Sequence, residues 1–88
     1  MQNHTKVYFE FFGYDTSDYI NCEVCSYKRA IDIHHIIPRS HFGKKTKDAQ
    51  DNIYNLIALC RECHNKAHNH EITKEELQDI HRECIESR

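Results

Sequence analysis

Residues 22–25 read CEVC and residues 60–63 read CREC, so the chain contains two Cys-x-x-Cys pairs. Together they supply four thiolates, which is the complete tetrahedral shell of a structural zinc ion. Two residues between the cysteines allow one tight turn to bring both sulfurs to the same ion. The second pair opens a predicted helix over residues 60–69, whose N-terminal dipole favours thiolates. We therefore predict one structural Zn²⁺, with the ligands Cys22, Cys25, Cys60 and Cys63.

The rest of the composition favours a fold that is stabilised by such a metal. The chain has 88 residues, enough for one domain, and only 39% of them are hydrophobic. A domain of this size buries about two-thirds of the surface that its unfolded chain exposes, so a core with few hydrophobic residues leaves little margin of stability. The sequence has neither a run of ~20 apolar residues nor the form of a signal peptide, which predicts a cytoplasmic protein without a membrane span. In a reducing cytosol, metal ligation is a better interpretation of the cysteines than disulfides.

The segments around the cysteine pairs predict a mixed structure. Residues 7–12 (VYFEFF) are apolar and β-prone, and they predict a strand or extended segment within an N-terminal arm, 1–21. Residues 31–37 (IDIHHII) predict a strand, and residues 56–59 (LIAL) form a short apolar run. Residues 38–52 are polar and rich in turn formers, and they predict a functional loop.

The C-terminal helix has the clearest signals in the chain. Thr73 and Glu76 fit a capping box, and Ile72 and Leu77 occupy the positions of a hydrophobic staple. This pattern predicts a helix over residues 72–87. One face of the helix is apolar at helical spacing. That face consists of Leu77, Ile80, Cys84 and Ile85, with Cys84 read as a small buried hydrophobe.

The charge of the chain is unevenly distributed, although its net value is only −2. Residues 1–27 and residues 67–88 each have a net charge of −3, whereas residues 28–66 have a net charge of +4. A basic centre between acidic ends can present a local positive face to phosphate. On charge alone, a lysine-rich solvated surface is an equally good interpretation.

The chain has eight histidines. His34 and His35 end the predicted strand, and His64 and His68 lie four residues apart on one face of the predicted helix. Neutral imidazole is the commonest transition-metal ligand. Adjacent side chains of a regular strand face opposite ways, so His34 and His35 should have different roles, one on a metal and one free as a base. We read His4, His70 and His81 as satisfied or solvent-exposed imidazoles.

The segments CEVC, IDIHHIIPRS and DNIYNLIALCRECHNKAH, in this order, resemble the HNH endonuclease family over residues 22–68. The resemblance implies an α+β fold, a small zinc-stabilised treble-clef ββα-metal domain with a C-terminal helix. It also implies a single nuclease domain over residues 1–88, divided into the arm 1–21, the zinc knuckle and ββα-metal core 22–69, and the helix 72–87.

The resemblance further implies a metal-dependent endonuclease that hydrolyses DNA phosphodiester bonds. In this reading His35 is the general base that activates water, and Asn55 pins the loop and helps to hold His35. Asp32 would orient a ligand from outside the metal shell. The ligands of the catalytic divalent metal would be His34, His64 and, as in some members, His68.

The identity of that metal stays open at this point. Two imidazoles with water would suit Mg²⁺ or Mn²⁺, and a third imidazole would favour Ni²⁺, Co²⁺ or Zn²⁺. The loop has a single glycine, Gly43, where many family members have more. His41 and the KKTK segment match no invariant feature of the family.

The resemblance also implies DNA as the partner, which would be bound through its phosphate backbone. Small phage-type members of the family work beside the DNA-packaging terminase, which suggests that protein as a partner and, for a phage-encoded chain, the host cytoplasm as the location. The cations expected to contact phosphate are Arg39, Lys44, Lys45, Lys47, Arg61 and Lys66.

Two other functions compete with a nuclease. A non-catalytic zinc module that binds DNA or protein would need the four cysteines but not the set of His34, His35, Asn55 and His64. A dithiol redox protein would use a single Cys-x-x-Cys in a βαβ context, which this sequence lacks.

Overall fold

The computed structural model describes residues 2–87, except for the side chains of Lys44, Lys45, Lys47 and Asp48. The described part has an α+β fold, which confirms the predicted fold class. None of its helices is both long enough and apolar enough to cross a bilayer. Its helices and strands are α1 (Asn3–Phe12), β1 (Asp32–His35), β2 (Leu56–Leu59), α2 (Arg61–His68) and α3 (Lys74–Glu86).

The two strands pair antiparallel, with His34 opposite Ile57 and His35 opposite Leu56. All four residues of β2 are buried, because each face of this strand packs on a different cluster. Ile57 packs with α3 and with the four cysteines of the two Cys-x-x-Cys pairs, here called the zinc-knuckle cysteines, whereas Leu56 packs with Tyr8 of α1. A strand that is covered on both faces has a continuous apolar sequence, as LIAL does.

The N-terminal segment is a helix, so the predicted strand over residues 7–12 is wrong. Its buried residues, His4 and Tyr8, and the partly buried Phe12 recur every four residues, which is helical spacing. Gly13 ends the helix with a φ of 74°, the left-handed conformation typical of a helix C-terminus. Tertiary packing against Leu56 and Ala58 therefore overrides the β-propensity of the aromatic run.

The predicted loop over residues 38–52 is also more regular than expected. It contains 3₁₀ turns at Arg39–His41 and Lys44–Asp51, and a third 3₁₀ turn follows at Ile53–Asn55. Such turns satisfy backbone groups locally without an apolar face, so hydrophobic periodicity does not reveal them.

The C-terminal helix agrees with its sequence signals. The hydroxyl of Thr73 accepts from the backbone N–H of Glu76, and the Glu76 carboxylate accepts from the N–H of Thr73. Leu77 is buried in the cluster that contains the zinc-knuckle cysteines, and Ile72 packs against the same cluster. Ile85 is buried further along α3, whereas Cys84 is half-buried. The capping box and the hydrophobic staple are confirmed.

A buried polar cluster joins α3 to the rest of the fold. His81 of α3 is fully buried, with Nδ1 2.8 Å from a carboxylate oxygen of Glu23 and Nε2 2.6 Å from the carbonyl oxygen of Ile53. The other Glu23 oxygen accepts from the Tyr8 hydroxyl at 2.5 Å and from the Ala58 N–H at 3.1 Å. This cluster therefore connects α1, the CEVC turn, β2 and α3.

Candidate active site and metal centres

The four cysteines of the two pairs converge on one point. Their sulfurs all lie within 4.8 Å of one another, and Cys25 Sγ is 3.9 Å from Cys60 Sγ. A tetrahedral zinc site with bonds of ~2.3 Å has sulfur–sulfur edges of ~3.8 Å. Antiparallel pairing of β1 and β2 returns the chain to the CEVC turn, so that Cys60, which caps α2, arrives beside it. The cysteine cluster has the geometry of a metal-binding site.

The electrostatics of these thiols also fit a cation. Burial would raise the pKa of Cys25, but backbone N–H groups of Tyr27 and Lys28 point at its sulfur and bring that pKa down to about 7. Burial, together with the neighbouring thiols of Cys60 and Cys22, raises the pKa of Cys63. Crowded sulfurs of this kind are stabilised as thiolates by a bound metal ion.

Three imidazoles form a second cluster between β1 and α2. The ring centroid of His34 lies 5.0 Å from that of His64 and 6.2 Å from that of His68. The ring centroids of His64 and His68 are 5.0 Å apart. Asp32 Oδ2 lies 3.6 Å from His64 Nδ1. Burial, and then the neighbouring His64 and His68, lower the pKa of His34 to about 4. His34 is therefore neutral at pH 7, the form that binds a metal.

The neighbouring His35 belongs to a different set of side chains. Its Nε2 lies 2.8 Å from Asp51 Oδ1, and its ring centroid lies 4.4 Å from that of His4. Within the described residues, His4, His35 and Asp51 are the one set besides the four cysteines whose ligand atoms all approach within 4.8 Å. The His34–His64–His68 cluster is wider than this, so its rings must turn to share one ion.

Both histidines of β1 nevertheless border the same open cavity, of about 590 Å³. The sheet places His34 on the Ile57 face, towards α2, and His35 on the Leu56 face, towards α1. His35 is the last residue of β1, so its ring still reaches the cavity. Asp32, His68 and Arg39 contribute to the wall. The cavity therefore has the imidazoles of His34 and His68 and that of His35 along the same wall.

Asn55 fixes the backbone behind His35. Its Oδ1 accepts from the N–H of Ile37 at 2.8 Å. Its Nδ2 donates to the carbonyl of Ile37 at 3.2 Å and to that of Gln50 at 2.9 Å. The side chain is buried and joins the chain after β1 to the turn that contains Asp51.

The cations predicted to contact phosphate are only partly described. Arg39, Arg61 and Lys66 are exposed, and Arg39 borders the cavity. Lys28 is not available in the same way, because it pairs with Glu62. The side chains of Lys44, Lys45 and Lys47 lie outside the described residues.

Sequence reasoning missed the contribution of α1 to this site. His4 is buried against His35, with its Nδ1 3.4 Å from Arg39 Nη2, although its sequence context suggested nothing beyond a satisfied or exposed imidazole. Asn3 donates to Asp51 Oδ2 at 2.8 Å. The spacing of His4, Tyr8 and Phe12 is the one signal that could have placed this helix against the sheet.

Comparison with known proteins gives a family. A model of the HNH endonuclease family matches residues 22–70, which is more than half of the chain and includes the four clustered cysteines and the three clustered imidazoles. Comparisons with curated proteins and with solved structures give no match. The chain therefore belongs to the HNH endonuclease family.

Proposed function

We propose that this protein is a metal-dependent endonuclease that hydrolyses DNA phosphodiester bonds, with His35 as the general base. The observation that carries the proposal is the division between the two adjacent histidines. His34 faces the imidazoles of α2, whereas His35 faces Asp51 and α1, and both border one cavity. A module that only binds DNA or protein has no need of this arrangement.

The ligands of a catalytic metal would be His34, His64 and His68, with Asp32 orienting the ring of His64. When bound, the metal supplies positive charge to the non-bridging oxygen of the scissile phosphate. Three imidazoles suit Mn²⁺, Ni²⁺, Co²⁺ or Zn²⁺, and a water in place of His68 would allow Mg²⁺.

The chain's own residues would handle the proton and the substrate. A neutral His35 takes a proton from the attacking water as its oxygen bonds to phosphorus, and the bond to the leaving oxygen breaks. Asn55 keeps the backbone on both sides of His35 and Asp51 in place. Arg39, Arg61 and Lys66 would contact flanking phosphates, together with Lys44, Lys45 and Lys47.

The second ion, structural Zn²⁺, would be held by the four cysteines. A closed shell of four thiolates leaves no open position for substrate, so this ion would stabilise the fold. DNA contacts that involve only phosphates carry no sequence information. A terminase partner and a location in the cytoplasm of a phage host remain predictions from the size of the chain.

A cleavage assay tests the proposal. We expect the zinc-loaded protein to nick or linearise plasmid DNA with Mg²⁺ or Mn²⁺ and not with EDTA added just before the reaction. His35→Ala should lower the rate by about 10²- to 10⁴-fold, the usual contribution of a general base. His41→Ala is the matched control, since His41 is an exposed histidine nearby, and it should cleave at the wild-type rate. DNA binding without cleavage under every metal would instead support the non-catalytic module.

A further inference from the structure

We propose that Asp51 is a positioning residue for His35, which holds the imidazole in one tautomer so that Nδ1 is the nitrogen that accepts the proton. The inference rests on the nuclease function proposed above. It adds a residue that lies outside the histidine and asparagine motif, in the 3₁₀ turn Lys44–Asp51.

The contact between the two side chains determines the tautomer. His35 Nε2 lies 2.8 Å from Asp51 Oδ1, and the two side chains are only 12% and 15% exposed. Burial would raise the pKa of Asp51, but hydrogen bonds from Asn3 and His35 outweigh it and keep the pKa below its ordinary value. An ionised carboxylate can only accept, so Nε2 must carry the hydrogen. A neutral imidazole then has its lone pair on Nδ1.

Asp51 is itself held from two sides. Asn3 of α1 donates to Asp51 Oδ2 at 2.8 Å, which leaves Oδ1 for His35. Asn55 donates to the carbonyl of Gln50 and so fixes the peptide that precedes Asp51. The ring of His4 packs on that of His35 at 4.4 Å and limits its rotation. The base is therefore oriented by both α1 and the 3₁₀ turn, and positioning of this kind is how a third group supports a nucleophile–base pair.

A metal ion is the competing explanation for this set, because His4, His35 and Asp51 have ligand atoms within 4.8 Å of one another. Two contacts favour the hydrogen bond. The guanidinium of Arg39 lies 3.4 Å from His4 Nδ1 and would repel a cation there. The second oxygen of Asp51 is already engaged by Asn3, so the carboxylate could offer a cation only one oxygen, the one that already contacts His35.

The first test is spectroscopic and needs no activity. Long-range ¹H–¹⁵N correlation spectra of the zinc-loaded protein distinguish the two tautomers of each ring. We expect His35 to be an Nε2–H imidazole in the wild type. Asp51→Asn, which keeps the shape of the side chain, and Asp51→Ala should both produce a mixture of tautomers. Asp79→Asn, which removes one exposed carboxylate of α3, should leave the spectrum unchanged.

The second test is kinetic. Asp51→Asn and Asp51→Ala should lower kcat by about 10- to 100-fold, as loss of an orienting partner commonly does, with KM for DNA unchanged. Asp51→Glu should recover part of kcat, and Asp79→Asn should have the wild-type value. A merely structural role would be revealed by equal losses in Asp51→Glu and Asp51→Ala.

The outcomes separate this inference from the function on which it rests. If Asp51→Ala retains the wild-type tautomer of His35 and the wild-type kcat, the inference is overturned, even if cleavage depends on His35. If added Zn²⁺ shifts the ring signals of His35 and His4 before those of His34, the inference is overturned in favour of a metal site. If the wild-type protein has His35 as the Nε2–H tautomer but cleaves no DNA, the proposed nuclease function and the catalytic purpose of Asp51 are both overturned.

Discussion

His34 and His35 share a peptide bond and yet meet different partners. Strand alternation turns His34 towards the imidazoles of α2 and His35 towards α1 and Asp51. The alternation itself can be read from the sequence, and so can the helical spacing of His64 and His68. The partners of His35 cannot, because His4 and Asp51 reach it only through the packing of α1 and a 3₁₀ turn.

Substitution of Asn55 tests the contribution of a single side chain to this site. Asn55→Ala would leave three backbone groups of Ile37 and Gln50 without their partner, and the cost should be on the order of 2–3 kcal/mol of unfolding free energy. Activity should fall as well, because the turn that contains Asp51 would loosen. Denaturant unfolding of the zinc-loaded protein measures the first effect. Asn65→Ala, at an exposed position of α2, should change stability by less than about 0.5 kcal/mol. Equal stability of the two variants would contradict this role of Asn55.

Among the elements, α1 and α3 hold the sheet and the zinc knuckle together. Tyr8 of α1 and His81 of α3 both bind the carboxylate of Glu23, which lies between two of the zinc-knuckle cysteines. Burial, and then the adjacent Glu23, raise the pKa of Tyr8, so its hydroxyl keeps the proton that it donates. Both helices thus bind the CEVC turn, which supplies two of the four clustered cysteines.

His81→Ala should therefore be strongly destabilising, since it leaves Glu23 and the Ile53 carbonyl buried without their partner. Each buried acceptor that is left without its hydrogen-bond donor costs about 1–3 kcal/mol. Arg82→Ala, the next residue along α3, removes only an exposed pair with Asp79 and should cost less than about 1 kcal/mol. Thermal and denaturant unfolding of both variants measure the difference. A His81→Ala protein as stable as Arg82→Ala would show that the cluster contributes little.

The elements that the sequence predicts well are those with local signals. The capping box predicts the start of α3, and the second Cys-x-x-Cys predicts the start of α2. The N-terminal helix contains the β-prone segment VYFEFF, which predicts a strand, and its helical form depends on a sheet face formed more than forty residues later. The 3₁₀ turns of residues 39–51 have no apolar period to reveal them.

In the whole molecule, the two proposed metal sites would have separate roles, the cysteine site in stability and the imidazole site in catalysis. The cysteine cluster is part of the main hydrophobic cluster, together with Ile36, Ile57 and Leu77. Of the imidazole cluster, His34 and His68 instead border the open cavity. Because the core on each side of the sheet is small, we expect the fold to depend on an ion that the four sulfurs would hold.

Removal of that ion should unfold the domain. Apparent binding free energies of structural zinc are about 10–16 kcal/mol, more than a core of this size supplies. We expect purified protein to contain one tightly bound zinc, and a strong chelator to abolish its helical circular dichroism and its thermal transition. Cys84→Ser keeps the four ligands and should retain the zinc. An unchanged spectrum and midpoint after complete removal of zinc would contradict this dependence.

Calorimetric titration of Mn²⁺ into the zinc-loaded wild type, His34→Ala and His35→Ala proteins tests the division between metal binding and proton transfer most directly. His34→Ala should lose most of the affinity, because His34 is a proposed ligand. His35→Ala should bind Mn²⁺ as tightly as the wild type although its rate of DNA cleavage should be far lower. Equal loss of affinity in His35→Ala and His34→Ala would contradict the account, because the metal would then lie on His35.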